Sequence, residues 1–300
     1  MTASQAAEAK FPAFKGLRNA NLKTILEVNL MLRPTIVQDM LVDAAHRLTF
    51  IQSAISYLRT HGFDGINILW LNANNGQVTK THYTSFVQEF RVKINAETNP
   101  SGPDALLLTA SVASRIVDIQ RSYDVVPVAT AVDFLNVMTS DMTAYFGQKT
   151  PSFQTPGASF QSASFAMTYW KTASALPGKL NMGIGVFGRV FTLDPSCQVE
   201  PVQGSLSDLP AGIWSRYEVC SSSASADIWF AFDNQDDIDA KVQFIQSEGL
   251  AGAFVVSMDL DDFDGNSCTD TNDLHGPYAV TDRVHAQLNT PVNSPVNQPV

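Results

Sequence analysis

The sequence has no apolar run near the roughly eighteen residues that a membrane-spanning helix requires, so no stretch reads as a bilayer segment. Positive charge is scarce as well: Lys and Arg number 19 against 29 Asp and Glu, which leaves a formal net charge of −10. Phosphate-rich partners are held by clustered cations, so nucleic acid and anionic membranes are excluded as expected partners, and a neutral ligand such as a sugar is compatible. Residues 1–10 lack the basic start and apolar stretch of a secretory signal. Three cysteines, Cys197, Cys220 and Cys268, are too few for a disulfide scaffold and match no metal-ligand spacing, so no metal and no cofactor is expected.

What is present is core-forming material. The chain has 300 residues, 45% of them hydrophobic, enough for one large barrel domain or two small ones. It is organised around residues 63–71, a short apolar run that follows Gly62 and ends in the polar stretch 72–76, and so reads as one buried strand. Side chains alternate along a strand, which puts Asn67, Leu69 and Leu71 on one face. Upstream, 21–28 reads as a strand and 39–60 as a helix, completing a βαβ unit with a right-handed crossover. Downstream come a helix over 81–97, strands over 105–110 and 133–141, a helix over 165–173 and a strand over 179–191. A helix over 238–247 and a last strand over 252–259 follow. This alternation predicts an α/β barrel or a doubly wound sheet. Residues 192–232, rich in Ser, Pro and Gly, interrupt it as an insertion, and 289–300 form a Pro, Val and Asn tract that is expected to be a disordered tail.

Residues 63–71 resemble the fourth-strand signature Asp-Gly-x-Asp-x-Asp-x-Glu of the chitinases of glycoside hydrolase family 18. Asp64 and Gly65 match it, while Asn67, Leu69 and Leu71 stand at the second Asp, the third Asp and the Glu. The likeness runs in order over residues 15–288. Residues 136–141 resemble the sixth strand with its Met-Thr-Tyr-Asp, residues 183–189 the seventh with its Gly-x-Pro-x-Tyr-Gly-Arg, and 252–263 the eighth. The resemblance implies a TIM-type (β/α) barrel over 1–288. It also implies that the first two βα units are missing, because only twenty-one residues precede residues 22–28, which match the third strand. Six strands then leave two open edges. The insertion 192–232 is short compared with that of the family.

In the family the Glu is the acid that protonates the glycosidic oxygen, and the third Asp orients the substrate acetamido group. Neither Leu71 nor Leu69 has a titratable group, so the resemblance implies a chemically dead site. Ser140 replaces the Tyr that bonds the acetamido group, Val256 a Trp flooring the central subsite, Met31 another groove Trp, and Phe187 a Tyr. Asp141 and Arg189 match site residues; together with Phe187 they are the ligand-binding candidates, although Asp141 and Arg189 also fit a plain structural ion pair. Asp64 is read as a structural hydrogen-bond partner and Trp70 as core. The family's disulfide implies a Cys220–Cys268 bond, which leaves Cys197 over and suggests an extracellular setting.

The expected function is a non-catalytic chitinase-like protein that binds chitin or N-acetylglucosamine oligosaccharides, or a protein partner. The alternatives are a glycoside hydrolase whose acid has moved to Asp141 or Glu27, and a structural matrix protein that binds no sugar. A calcium-loop spacing runs through Asp262, Asp264, Asn266, Cys268, Asp270 and Asp273. Ser267 stands where such a loop needs Gly and Asp273 where it needs Glu, so the acidic run reads as a strand end and solvated loop.

Overall fold

The structure is a computed structural model, and it describes residues 10–11, 22–71, 78–97, 105–141, 163–174, 176–193, 199–206, 209–222, 228–268, 274 and 276–290. The chain divides into two compact units, Met1–Asn136 and Val137–Val300.

The first unit starts with strand β1 (Ile25–Asn29), in which apolar and polar residues alternate from Leu26 to Asn29, as in a half-buried strand. A parallel partner needs a crossover, and two helices supply it: α1 (Pro34–Val42) and α2 (Ala44–His61). The single helix expected over 39–60 is broken at Asp43. That residue leaves the helical region and its carboxylate accepts the N–H groups of Ala45 at 2.7 Å and His46 at 3.0 Å, which starts a new helix. Gly62, at φ 65°, ends α2 in the left-handed conformation that glycine adopts without a Cβ penalty. Strand β2 (Gly65–Leu69) pairs parallel with β1 and with β3 (Leu107–Val112), so Glu27, Asn67 and Thr109 lie in one row and Asn29, Leu69 and Ser111 in the next.

Helix α3 (Lys80–Asn95) buries Tyr83, Phe86, Val87, Phe90 and Ile94, the stripe that its sequence pattern predicts. Leu41, Ile51 and Leu58 from the preceding helices are also without exposed surface. Two further helices, α4 (Ile116–Ser122) and α5 (Val125–Ala131), were not among the expected elements: both are short, and α5 carries three valines and a proline. Strand β4 (Phe134–Val137), hydrogen-bonded next to β3, closes the unit.

In the second unit, helix α6 (Ala163–Ser174) precedes β5 (Leu180–Gly185), which pairs parallel with β10 (Gly252–Val256). The strand expected over 179–191 is two strands. After Gly185 the chain leaves the parallel sheet, and β6 (Phe187–Leu193) becomes the centre of an antiparallel sheet with β7 (Val199–Pro201), β8 (Ile213–Ser215) and β9 (Ile228–Ala231). Helix α7 (Arg216–Ser221) follows β8, and α8 (Gln235–Ser247) leads into β10. The final strand stops at Val256, short of the expected 259, and a turn of 3₁₀-helix covers Met258–Leu260. Helix α9 (Ala279–Leu288) ends the described chain, and the tail over 291–300 lies outside the described residues.

Candidate functional site

The row containing Asn67 is the polar centre of the first unit. Asn67 Nδ2 donates to Glu27 Oε2 and to Ser111 Oγ, both at 2.8 Å, and Thr109 Oγ1 donates to Asn67 Oδ1 at 2.9 Å. Asn67, Thr109 and Ser111 are buried, and Glu27, on the edge strand, is exposed. A buried amide whose donors and acceptor are all engaged is locked in one orientation. Leu69 and Leu71 continue the same face and are half-buried. At these positions the chain offers hydrocarbon, with no proton to give and no charge to place.

The neighbouring side chains of β2 do structural work. Asp64 Oδ2 accepts the backbone N–H of Thr24 at 2.7 Å and its hydroxyl at 2.9 Å, which ties the start of β2 to the start of β1. Trp70 is buried; its ring centroid is 4.3 Å from that of Tyr83, and Tyr123 meets it edge-on. Tyr123 Oη donates to the Trp70 carbonyl and accepts the Ala113 N–H at 3.0 Å. Burial pushes the Tyr83 phenol far above its ordinary range, so it stays protonated in this core. Met31 is 39% exposed, a flexible thioether where the family resemblance places a groove Trp.

In the second unit, Asp141 and Arg189 are brought together as the sequence suggested. Arg189 Nε donates to Asp141 Oδ1 at 3.1 Å and Nη2 donates to Oδ2, a two-point fork between side chains 14% exposed on the Arg and 26% on the Asp. Position 189 is in β6, where Phe187, two residues earlier, is half-buried. Ser140 and Val256 are half-buried too. Thr139 hydrogen-bonds the Gly183 carbonyl at 2.8 Å, which anchors the segment leading to Asp141 against β5.

Cys220 and Cys268 form a disulfide, with Cα atoms 5.0 Å apart, joining α7 to the segment after β10. Cys197 lies outside the described residues. The acidic run that reads as a solvated loop is instead partly interior. Asp261 and Asp262 have no exposed surface; Asp261 Oδ2 accepts from Thr281 N and Oγ1 at 3.1 and 2.9 Å, and Asp262 Oδ2 accepts the N–H groups of Ser267 and Cys268 at 3.1 and 2.8 Å. These carboxylates fold the turn that carries the disulfide. Gly265 has φ 70°, and a Cβ there would stand 2.5 Å from Pro277 N, so the same turn requires glycine. Positions 270 and 273 of the calcium spacing lie outside the described residues. Among the described residues no three His, Cys, Asp or Glu side chains converge as metal ligands.

Comparison with known proteins places the chain. Residues 1–261 match the family model for glycosyl hydrolases family 18. The chain belongs to this family. Chitotriosidase-1 of Mus musculus is 31% identical over 306 residues, covering 91% of this chain and 65% of the relative, so the chain spans a little under two thirds of that protein. Chitinase-3-like protein 2 of Homo sapiens is 28% identical, over 91% of this chain and 77% of the relative. Human YKL-39, described as a pseudo-chitinase with retained chitooligosaccharide binding properties, superposes with a TM-score of 0.81 at 25% identity, covering 96% of this chain and 87% of that one. A Group IV chitinase of Ostrinia furnacalis gives a TM-score of 0.78 at 26% identity, over 95% and 85% of the two chains. The fold is the TIM-type barrel fold of family 18. Chitinases and a pseudo-chitinase both stand among its relatives, so fold alone does not decide activity.

The residues that sequence reasoning missed are the partners of Asn67. Glu27 was weighed only as a relocated acid, and Thr109 and Ser111 not at all. Glu27 lies on β1 and Thr109 and Ser111 on β3, either side of Asn67 on β2, and only the strand register brings them together. A polar residue at alternate positions of three successive apolar strands was the signal available.

Proposed function

We propose that this family 18 chain is a non-catalytic, chitinase-like glycan-binding protein that works outside the cell and takes chitin or N-acetylglucosamine oligosaccharides. The observation that carries the reading is that Leu69 and Leu71 stand where the family pattern places the orienting Asp and the acid. Glycosidic cleavage needs a carboxylic acid within hydrogen-bond reach of the leaving oxygen, and two carboxylates to divide the work. Two leucines remove both functions at once, and Ser140 in place of Tyr removes a third contact. The retained Asp141–Arg189 fork supplies hydrogen-bonding groups of the kind that orient a sugar. A relative described as a pseudo-chitinase with retained chitooligosaccharide binding supports the same reading. The Cys220–Cys268 bond supports an oxidising, extracellular setting.

Two measurements on one preparation test the proposal. Isothermal titration with N-acetylglucosamine tetramer is expected to give a saturating heat at micromolar to millimolar ligand, and a chromogenic chitobioside is expected to show no turnover. Turnover abolished by Asp141→Ala or Glu27→Gln would replace the reading with a hydrolase whose acid has moved. No heat and no turnover would leave a matrix or protein-interaction role.

A further inference from the structure

Glu27 has a fixed carboxylate with a free side. Asn67 Nδ2 has two N–H groups, one given to Glu27 Oε2 and one to Ser111 Oγ, and Asn67 Oδ1 already accepts from Thr109, each at 2.8 to 2.9 Å. Asn67 is 6% exposed, and Thr109 and Ser111 are 0% exposed. The amide therefore cannot turn toward a ligand without leaving buried groups unpaired. Its effect is on Glu27: one carboxylate oxygen is pinned, and the other is presented from an exposed position on the edge strand. Among the described residues no Lys, Arg or His forms an ion pair with Glu27, whereas Asp64, Glu89 and Glu97 of the same unit each have a cation.

A pinned, exposed carboxylate with no cation paired to it among the described residues selects a donor that carries positive charge. An N-acetylated sugar presents a neutral amide there, whereas a glucosamine unit presents an ammonium with three N–H donors, and a charge-assisted bond is about twice as strong as a neutral one. Metal ions are a poorer match, because the site has one carboxylate and no three-ligand group converges among the described residues. We propose that Glu27, positioned by Asn67, makes the first unit prefer glucosamine-containing, partly deacetylated chitin oligosaccharides over fully acetylated ones. This inference rests on the glycan-binding reading above.

The test compares glucosamine tetramer with N-acetylglucosamine tetramer by isothermal titration, on the wild-type chain and on Glu27→Gln. The variant keeps an acceptor oxygen for the Asn67 amide and removes only the charge. Expected is a loss of about tenfold in affinity for the glucosamine tetramer in Glu27→Gln, the size of one charge-assisted bond, with the acetylated tetramer changed by less than about twofold. The wild-type preference is also expected to shrink as salt rises from about 0.05 to 0.5 M. Equal binding of the glucosamine tetramer by wild type and Glu27→Gln overturns this inference alone, provided that the acetylated tetramer still binds. Failure of both tetramers to bind the wild-type chain overturns the glycan-binding reading with it.

Discussion

At the scale of single residues, the proposed loss of catalysis rests on several positions at once, Leu69, Leu71 and Ser140. Restoring one group is therefore expected to restore nothing: Leu71→Glu would give the face an acid but leave Leu69 with no charge to orient a substrate. Turnover of a chromogenic chitobioside by Leu71→Glu is expected to stay at background, and measurable hydrolysis would show that the remaining wall is more competent than its residue types suggest. The Asp141–Arg189 fork yields a second expectation. Both side chains are mostly shielded, at 26% and 14% exposure, so Asp141→Ala leaves a guanidinium short of its partner inside the second unit. The cost is about 2 kcal/mol, below the value for a fully buried pair because solvent still reaches this one, and Asp141→Ala with Arg189→Met should recover part of it. Denaturant unfolding of the two single variants and the double variant measures this coupling. A Asp141→Ala variant as stable as wild type would make the pair dispensable for folding and leave ligand contact as its role.

At the scale of elements, what could be read in the sequence followed the strength of the local signal. Strands such as β2 and helices such as α3 declare themselves because their apolar periods run unbroken. The split of 39–60 into α1 and α2 was hidden because Asp43 sits inside an otherwise helical pattern, and only its turn toward two backbone N–H groups makes it a cap. The division of 179–191 was hidden in the same way: β5 and β6 are both apolar and β-rich, and the turn between them is a change of sheet rather than of composition. Caps visible in the structure give an expectation at this scale. Asn234 Oδ1 accepts the Asp237 N–H at 2.9 Å and Asp237 Oδ2 accepts the Asn234 N–H at 3.2 Å, a reciprocal pair at the start of α8. Asn234→Ala is expected to cost about 1 kcal/mol. Urea unfolding should show it as a lower midpoint at unchanged slope; no change would mean that water replaces the cap without loss.

At the scale of the whole molecule, long-range ties set the response to conditions. The Cys220–Cys268 bond spans a sequence separation of 48, and the loop-closure argument gives it about 4 kcal/mol of stabilisation through the unfolded chain. Reduction under native conditions should therefore lower the thermal midpoint by several degrees, as should Cys220→Ser. Acid acts through other ties. Asp239 is held below the ordinary carboxylate range chiefly by hydrogen bonds from Arg283, 2.8 and 2.6 Å away, against the opposing effect of burial. Burial also pushes Glu218 upward, but the bonds it accepts from Ser205 and Ser215 outweigh that and leave it lowered. A lowered carboxylate binds its proton less readily folded than unfolded. Its contribution is thus full above the ordinary range near about 4 and is lost as pH falls through the depressed folded value. Asp237 runs the other way: burial raises it, so its contribution is full below the ordinary range and fades as pH climbs through the raised value. Thermal midpoints are accordingly expected to decline from pH about 5 toward 3. Asp239→Asn should make that decline shallower while lowering stability at neutral pH by less than about 1 kcal/mol, since solvent reaches and screens both partners. Asp237→Asn should instead raise the neutral plateau relative to the acid limb. A midpoint that is flat from pH 7 to 3, or an Asp239→Asn profile parallel to wild type, would mean that the Asp239–Arg283 contact does not couple protonation to folding.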